Sequence, residues 1–167
     1  MSEKKREYVL RDHAADIVIL LLALLLLVTG RFYCLKRVAG SSMEPTYYPG
    51  DLLVATKSAD PGKIQRGSIV IAKAQGDGGP ADSCIVKRVA GMPGDTLRVT
   101  DGMLYVNGYA DSAFPVIDEP GILSEELTVP EGMYFLLGDN CRRSNDSRAF
   151  GFVPEADITN IVIFKII

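Results

Sequence analysis

The chain has 167 residues, of which 47% are hydrophobic, and its formal net charge is -3. This length accommodates one modest domain plus a short additional element. The acidic balance argues against a nucleic-acid-binding protein, which usually presents a basic face. The 16 glycines and 9 prolines predict many turns, as expected of a β-rich domain.

An uncharged apolar run lies near the N-terminus, at residues 17–30. It is short for a membrane span of about 20 residues, but residues 14–35 suffice if Asp16 and Arg31 reach the lipid headgroups. The run also resembles the hydrophobic region of a cleaved signal peptide. However, the bulky residues at 31–33 offer no small-residue cleavage site. We therefore predict a transmembrane anchor at residues 14–35.

Basic residues flank the anchor on both sides, with a small excess before it. This excess favours a cytoplasmic N-terminus. We predict a short cytoplasmic tail at residues 1–13, the anchor at 14–35 and an extracytoplasmic β domain at 36–167.

Beyond the anchor, short apolar segments alternate with turn signals, without a helical period of convincing length. Asp101-Gly102 and Asn107-Gly108 are typical of hairpin turns. Residues 109–128 are irregular and acidic and predict a surface loop, as does the glycine-rich segment 76–80. The pattern predicts an all-β domain, with strands at 51–55, 68–72, 84–89, 96–99, 103–106, 133–137 and 158–167.

The sequence contains one histidine, His13, just before the apolar run. Enzymes of the Ser-His-Asp or Cys-His type need an imidazole beside the nucleophile. His13 is predicted to lie at the membrane edge, away from every later serine and cysteine. A hydrolase with a side-chain nucleophile would therefore need a different general base.

Three later segments carry candidate chemistry. Ser42 lies in a turn restrained by Pro45, which presents a hydroxyl rigidly. Lys87 lies in an apolar strand with Ile85, Val86 and Val89, so it is exposed, paired or desolvated. The segment 138–148 is polar and directly follows an apolar strand. Taken singly, these are a turn serine, a surface lysine and a loop with an ion pair of little energetic value.

Together and in this order, the segments closely resemble the bacterial type I signal peptidases, a family that uses a Ser-Lys dyad. The matching motifs are SMEPT at 42–46, GD at 50–51, KRVAGMPGD at 87–95, GDNCRRSNDSR at 138–148 and GFVP at 151–154. The resemblance implies a mainly β catalytic domain, the family's β-barrel or β-sandwich, behind one N-terminal transmembrane helix. By this resemblance we expect a minimal member, without the large inserted domain and second anchor of longer members.

The resemblance also implies residue roles. Ser42 matches the acylating nucleophile and Lys87 the general base. Ser144 matches the serine that hydrogen-bonds and orients the lysine, and Asp146 and Arg148 match a supporting ion pair. The remaining matches are pocket and oxyanion positions: Met43, Val38, Val86, Gly40 and Ser41.

The chain departs from the family at position 40, where Gly40 replaces a serine that donates to the oxyanion in some members. The oxyanion must then rely on backbone N–H groups such as that of Ser42, with help from Ser41. Two further departures are Cys141, where many members have Arg, and Ser68, where many have Asp. None of the three removes a catalytic residue.

By resemblance, the substrates are signal peptides of translocated preproteins, cleaved after a small-x-small pattern such as Ala-x-Ala. Further implied partners are the lipid bilayer and the export translocon, with no nucleic acid, metal or organic cofactor. Two alternatives are a self-cleaving Ser-Lys regulator of the LexA type and a non-catalytic, membrane-tethered β domain that binds exported peptides. Loss of Ser42 or Lys87 would leave the second alternative functional.

The three cysteines, Cys34, Cys84 and Cys141, have no zinc-site spacing. They fit either three thiols or one disulfide with one thiol. Cys84 and Cys141 each lie three residues before a candidate site residue, so a disulfide between them is a hypothesis.

Overall fold

The structure is a computed structural model that describes residues 3–73, 84–112, 114 and 125–166, with side chains from residue 13 onward. The chain divides into two units, Met1–Cys34 and Leu35–Ile167. The predicted loop at 76–80 and the centre of the predicted loop at 109–128 lie outside the described residues.

The first unit is dominated by one helix, α1, at Glu3–Phe32. Its segment His13–Phe32 has a mean hydropathy of 2.3 and is long and apolar enough to cross a membrane, a criterion that a signal sequence also meets. The isoleucine, leucine and valine residues between positions 17 and 28 are 50–76% exposed. A continuous apolar surface of this kind needs an apolar environment outside the chain.

The helix ends earlier than the predicted anchor. Residues 33–35, assigned to the anchor from the sequence, lie in the first strand, β1, at Tyr33–Arg37. The apolar pattern continues through Phe32, Tyr33 and Leu35, so hydropathy alone does not show where the helix ends and the strand begins. In the structure, β1 is identified by its pairing with a neighbouring strand.

The strands form two sheets, which belong to the second unit apart from the first two residues of β1. The larger has seven strands in the order β1-β2-β11-β3-β4-β9-β10, and the smaller has four in the order β7-β6-β5-β8. The pairs from β2 to β10 and all pairs of the smaller sheet are antiparallel. The bounds are β2 Leu52–Thr56, β3 Ile69–Lys73, β4 Cys84–Gly91, β5 Thr96–Thr100, β6 Met103–Val106, β7 Tyr109–Ala110, β8 Leu127–Thr128, β9 Met133–Leu137, β10 Val153–Pro154 and β11 Ile158–Lys165.

Helical structure in this unit is short. The described part contains α2 at Ser147–Phe150 and single 3-10 turns at Pro61–Lys63, Cys141–Arg143 and Glu155–Asp157. The mainly β fold class predicted from the sequence is confirmed.

Both predicted hairpin turns are present, and their backbone explains why these residues form them. Asp101 and Gly102 have φ values of 51° and 76°, and Asn107 and Gly108 have 53° and 81°. Two consecutive positive φ values match the twist of a two-residue hairpin, and Asn, Asp and Gly adopt them at least cost.

The core lies between and around the sheets. Phe135 and Leu137 of β9 pack with Leu97 and Leu104 of the smaller sheet, whereas Leu136 faces a second cluster on the other side. Strand β9 is therefore buried on both faces, which accounts for its uninterrupted apolar sequence. A third cluster, Val38, Met43, Tyr47 and Leu53, packs under the turn that carries Ser42.

Asp95 joins three loops of the second unit. Its carboxylate accepts hydrogen bonds from Arg66 Nη2 at 2.7 Å, the Met92 N–H at 2.7 Å and Asn107 Nδ2 at 2.8 Å. Burial alone would raise the pKa of Asp95, but these three donors outweigh it and hold the pKa below its ordinary value.

We expect Asp95→Asn to destabilise the second unit by about 1–3 kcal/mol at neutral pH, because a buried charged acceptor is lost. The folded-state pKa lies below the unfolded one, so this stabilisation is present above about pH 4 and is lost as the pH falls through the folded-state pKa. The thermal midpoint of the full chain in detergent, measured by circular dichroism at several pH values, tests both statements.

The matched control is Asp60→Asn. Asp60 pairs with Lys63 at 3.6 Å with its side chain 56% exposed, so we expect a change within about 0.5 kcal/mol. An Asp95→Asn effect no larger than the control, or one that persists unchanged in acid, would contradict the role of Asp95.

Candidate active site

The structure brings Ser42 and Lys87 together, although they are 45 positions apart in the sequence. Lys87 Nζ lies 2.8 Å from Ser42 Oγ and forms a hydrogen bond with it. The lysine is 3% exposed. A hydroxyl and a buried amine at this distance can exchange a proton directly.

Strand β4 presents Lys87 from the interior of the larger sheet. The strand is paired on both sides, with Lys87 opposite Val70 of β3 and Arg88 opposite Leu137 of β9. Val89 belongs to one core cluster, and Ile85 packs against the same cluster. Val86 packs against the cluster under the Ser42 turn. Lys87 thus lies in a strand whose apolar residues contribute to two core clusters.

The Ser42 turn is held from two directions. Met43 is 1% exposed and fixes the turn in the cluster with Val38. On the other side, the Asn140 N–H donates to the Ser42 carbonyl at 2.9 Å, and Asn140 Nδ2 donates to the Ser41 carbonyl at 3.2 Å. The Glu44–Pro45 peptide bond that follows is cis. Pro45 therefore does lie in a defined turn, as predicted.

A second contact links the lysine strand to the same turn. Arg88 binds Asp139 through two parallel hydrogen bonds of 2.8 and 2.7 Å and donates to the Gly67 carbonyl at 2.9 Å. Thr46 Oγ1 donates to Asp139 Oδ2 at 2.5 Å. The hydrogen bond to Asp139 raises the pKa of Arg88, against the opposing effect of burial.

The roles of Arg88, Asp139, Thr46 and Asn140 were not predicted from the sequence. All four lie inside the matching motifs, at the R of KRV, the D and N of GDN and the T of SMEPT. Their position in the motifs was the available signal, but their contacts depend on tertiary structure.

Ser144 lies close to the nucleophile turn through Gly138. A Cβ atom on Gly138 would overlap Ser144 Oγ and would lie 2.6 Å from the Ser42 carbonyl oxygen. Ser144 Oγ is buried and forms no hydrogen bond within the described part of the chain. The predicted hydrogen bond from Ser144 to Lys87 is thus not formed in this structure, and its orienting role stays a prediction.

Asp146 and Arg148 form a buried pair rather than a surface ion pair. Their side chains are 0% and 4% exposed, and Nε and Nη2 of Arg148 contact the two carboxylate oxygens at 2.8 and 3.0 Å. Asp146 also accepts from the Gly138 N–H at 3.0 Å, while Arg148 donates to the Cys141 carbonyl at 2.7 Å. The pair therefore fixes both ends of the 138–148 loop.

The remaining predicted site residues surround the turn. Gly40 is exposed, with no atom within 4 Å of the place where a Cβ would lie, and Ser41 is half-buried. Val38 is buried, and Val86 packs against its cluster. The pocket and oxyanion roles of these residues stay predictions.

The cysteines do not form the hypothesised bridge. Cys84 is exposed and Cys141 is buried, and neither they nor Cys34 form a disulfide in this structure. Within the described residues, no group of three or more His, Cys, Asp and Glu side chains could hold a metal ion.

The chain is similar to known proteins in family pattern and in sequence. The sequence model of the family described as "Signal peptidase, peptidase S26" matches residues 10–167. The chain is 38% identical over 143 residues to signal peptidase I of Bacillus licheniformis, covering 78% of this chain and 74% of that protein. It is 31% identical over 161 residues to signal peptidase IB of Staphylococcus aureus strain COL, covering 84% and 82%.

A crystal structure of a signal peptidase I from Enterococcus faecalis V583 is 33% identical, with a TM-score of 0.49, and covers 60% of this chain and 97% of that one. The family match spans nearly the whole chain, including every segment of the site described above. This chain belongs to the signal peptidase family, peptidase S26.

Proposed function

We propose that the chain is a membrane-anchored serine endopeptidase that removes N-terminal signal peptides from exported preproteins. In this proposal Ser42 is the nucleophile and Lys87 its general base. The observation that carries it is the 2.8 Å hydrogen bond between Ser42 Oγ and the amine of a lysine that is 3% exposed.

Burial gives the lysine its function. A lysine acts as a base only when its amine is uncharged, and removal from water disfavours the charged form. The uncharged amine of Lys87 accepts the hydroxyl proton of Ser42 as the oxygen attacks the scissile carbonyl. The resulting ammonium then protonates the departing amine of the mature protein, which leaves an acyl-enzyme.

Deacylation reverses the same proton path. Lys87, again uncharged, takes a proton from a water molecule that attacks the ester carbonyl. The signal peptide leaves with a new carboxylate, and Ser42 recovers its proton. In both steps the oxyanion is stabilised by the backbone N–H of Ser42, with Ser41 and Gly40 in the same turn.

The 138–148 loop supports the dyad. Asp146 and Arg148 form a buried ion pair that holds this loop. The loop carries Ser144 beside the Ser42 turn. We propose that Ser144 orients the lysine amine during the reaction, when substrate binding brings the two groups within hydrogen-bond reach.

Substrate selection follows from the apolar residues near the nucleophile. Met43 and Val38 share one cluster, against which Val86 packs, so we propose that they line shallow pockets for the small residues of an Ala-x-Ala site. The extended substrate would pair with a strand edge. Relatives named signal peptidase I and IB support this substrate class.

Helix α1 would act as the anchor, with the N-terminus cytoplasmic and the β domain on the outer face. This arrangement would hold the dyad where a membrane-embedded preprotein presents its cleavage site, with the bilayer and the translocon as partners. Membership of the signal peptidase family disfavours a LexA-type regulator.

We expect Ser42→Ala and Lys87→Met each to reduce kcat for cleavage of a preprotein with an Ala-x-Ala site by at least about 1,000-fold, because each removes one member of the reacting pair. Methionine keeps the length and apolar packing of the lysine stem. Cleavage is followed by gel electrophoresis of the purified full chain in detergent with added lipid.

Matched controls are Ser58→Ala and Lys73→Ala. Ser58 is an exposed loop serine, and Lys73 is an exposed strand lysine that contacts Asp157 at 3.1 Å, so both variants should cleave within about twofold of the unmodified chain. Undiminished cleavage by Ser42→Ala or Lys87→Met would end the enzymatic proposal and favour a peptide-binding domain.

Gly138→Ala tests whether the loop must approach the turn closely. The added Cβ would lie 2.6 Å from the Ser42 carbonyl oxygen, a backbone atom that cannot rotate away. We expect a loss of about 1–3 kcal/mol in stability and at least a tenfold loss of kcat. Gly62→Ala is the control, since its Cβ would have its nearest neighbour at 3.5 Å. Equal behaviour of the two variants in melting and cleavage would be inconsistent with this role.

A further inference from the structure

Asn140 holds two consecutive carbonyl groups of the nucleophile turn. Its backbone N–H donates to the Ser42 carbonyl at 2.9 Å, and its side-chain Nδ2 donates to the Ser41 carbonyl at 3.2 Å. The Ser41 carbonyl also accepts from the Glu44 N–H at 3.2 Å. One residue of the 138–148 loop therefore fixes the backbone on both sides of the Ser42 Cα.

The side-chain contact has a directional consequence. The Ser41 carbonyl and the Ser42 N–H belong to one planar peptide group, in which a trans arrangement points the two bonds in opposite directions. Holding the carbonyl oxygen of Ser41 therefore sets the direction of the Ser42 N–H. Among the described residues, no backbone carbonyl accepts a hydrogen bond from that N–H, which leaves it available to a substrate oxygen.

Asn140 is itself held by groups connected to the general base. Its neighbour Asp139 binds Arg88 through two hydrogen bonds, and Arg88 directly follows Lys87 in β4. The position of the base and the direction of the Ser42 N–H thus depend on one connected set of contacts. Gly40 supplies no side-chain donor to the oxyanion, which increases the demand on this backbone N–H.

We propose that Asn140 is a positioning residue for the oxyanion: its side-chain amide aims the Ser42 N–H at the developing negative charge. This inference rests on the proposed function, because it assumes attack by Ser42 on a peptide carbonyl. Asn140 does not contact the substrate. It acts through the peptide group between Ser41 and Ser42.

The test compares Asn140→Asp and Asn140→Ala with the unmodified full chain in detergent and lipid. Both variants keep the backbone N–H contact to Ser42 and lose the side-chain donor, and Asp adds a charge that repels the Ser41 carbonyl. Removing one oxyanion donor costs about 100- to 1,000-fold in kcat. We expect misdirecting one oxyanion donor to reduce kcat by about 10- to 100-fold. KM should change by less than about threefold, because the hydrogen bond from the Ser42 N–H to the substrate oxygen strengthens in the transition state.

Two inhibitors separate positioning from a general structural effect. An Ala-x-Ala peptide aldehyde adds the Ser42 hydroxyl across its carbonyl, forming a hemiacetal whose oxygen lies where the oxyanion forms. The matching peptide alcohol binds without adding to the serine. We expect the ratio of aldehyde to alcohol inhibition constants to rise by at least tenfold in both variants. This ratio does not depend on the fraction of enzyme that is folded.

Asn145→Asp is the matched control, because it makes the same chemical change at an exposed position of the same loop. It should leave kcat and the inhibitor ratio within about twofold. An unchanged ratio in Asn140→Asp and Asn140→Ala would overturn the inference, even with reduced kcat. Failure of the unmodified chain to cleave would instead refute the proposed function.

Discussion

The hydrogen bond between Lys87 Nζ and Ser42 Oγ is the contact on which the proposed chemistry of this domain depends. It joins a buried amine on a central strand to a hydroxyl on a turn, across a distance of 2.8 Å. Neither group has useful chemistry alone at neutral pH, since a serine hydroxyl is a weak nucleophile and an exposed lysine is charged. In the proposed mechanism the missing condition is supplied by the position of Lys87, which is 3% exposed on a strand that is paired on both sides.

Two ion pairs, one largely buried and one fully buried, hold the segments that carry this contact. Arg88 with Asp139 ties the lysine strand to the nucleophile turn, and Asp146 with Arg148 ties together the loop that carries Ser144. Buried pairs contribute little net stability, because desolvation of both charges offsets their attraction. Their directional, two-point hydrogen bonding explains their presence better, since a bidentate pair adds geometric specificity. Asn140 completes this set, because it connects the Asp139 contact to the peptide group of the nucleophile.

Local sequence signals predicted the parts of the fold that depend on local physics. The hairpins at Asp101-Gly102 and Asn107-Gly108 formed as predicted, because their backbone angles suit few other residues. Ser42 and Lys87 were predicted from motifs, helped by the absence of a suitably placed histidine. Strand β1 was missed, since Tyr33 and Leu35 continue the apolar pattern of the helix. The contact of Thr46 with Asp139 spans 93 positions and joins two loops, so only the folded structure could reveal it.

The charge state of the Lys87 amine is the central claim, and nitrogen NMR of the full chain labelled with 15N at lysine Nζ tests it most directly. The Lys87 signal is assigned by its loss in Lys87→Met. We expect it to report an uncharged amine at neutral pH, while the other lysines report ammonium groups. An ammonium signal from Lys87 at neutral pH, persisting when a substrate peptide is bound to Ser42→Ala, would contradict the claim and leave Ser42 without a base.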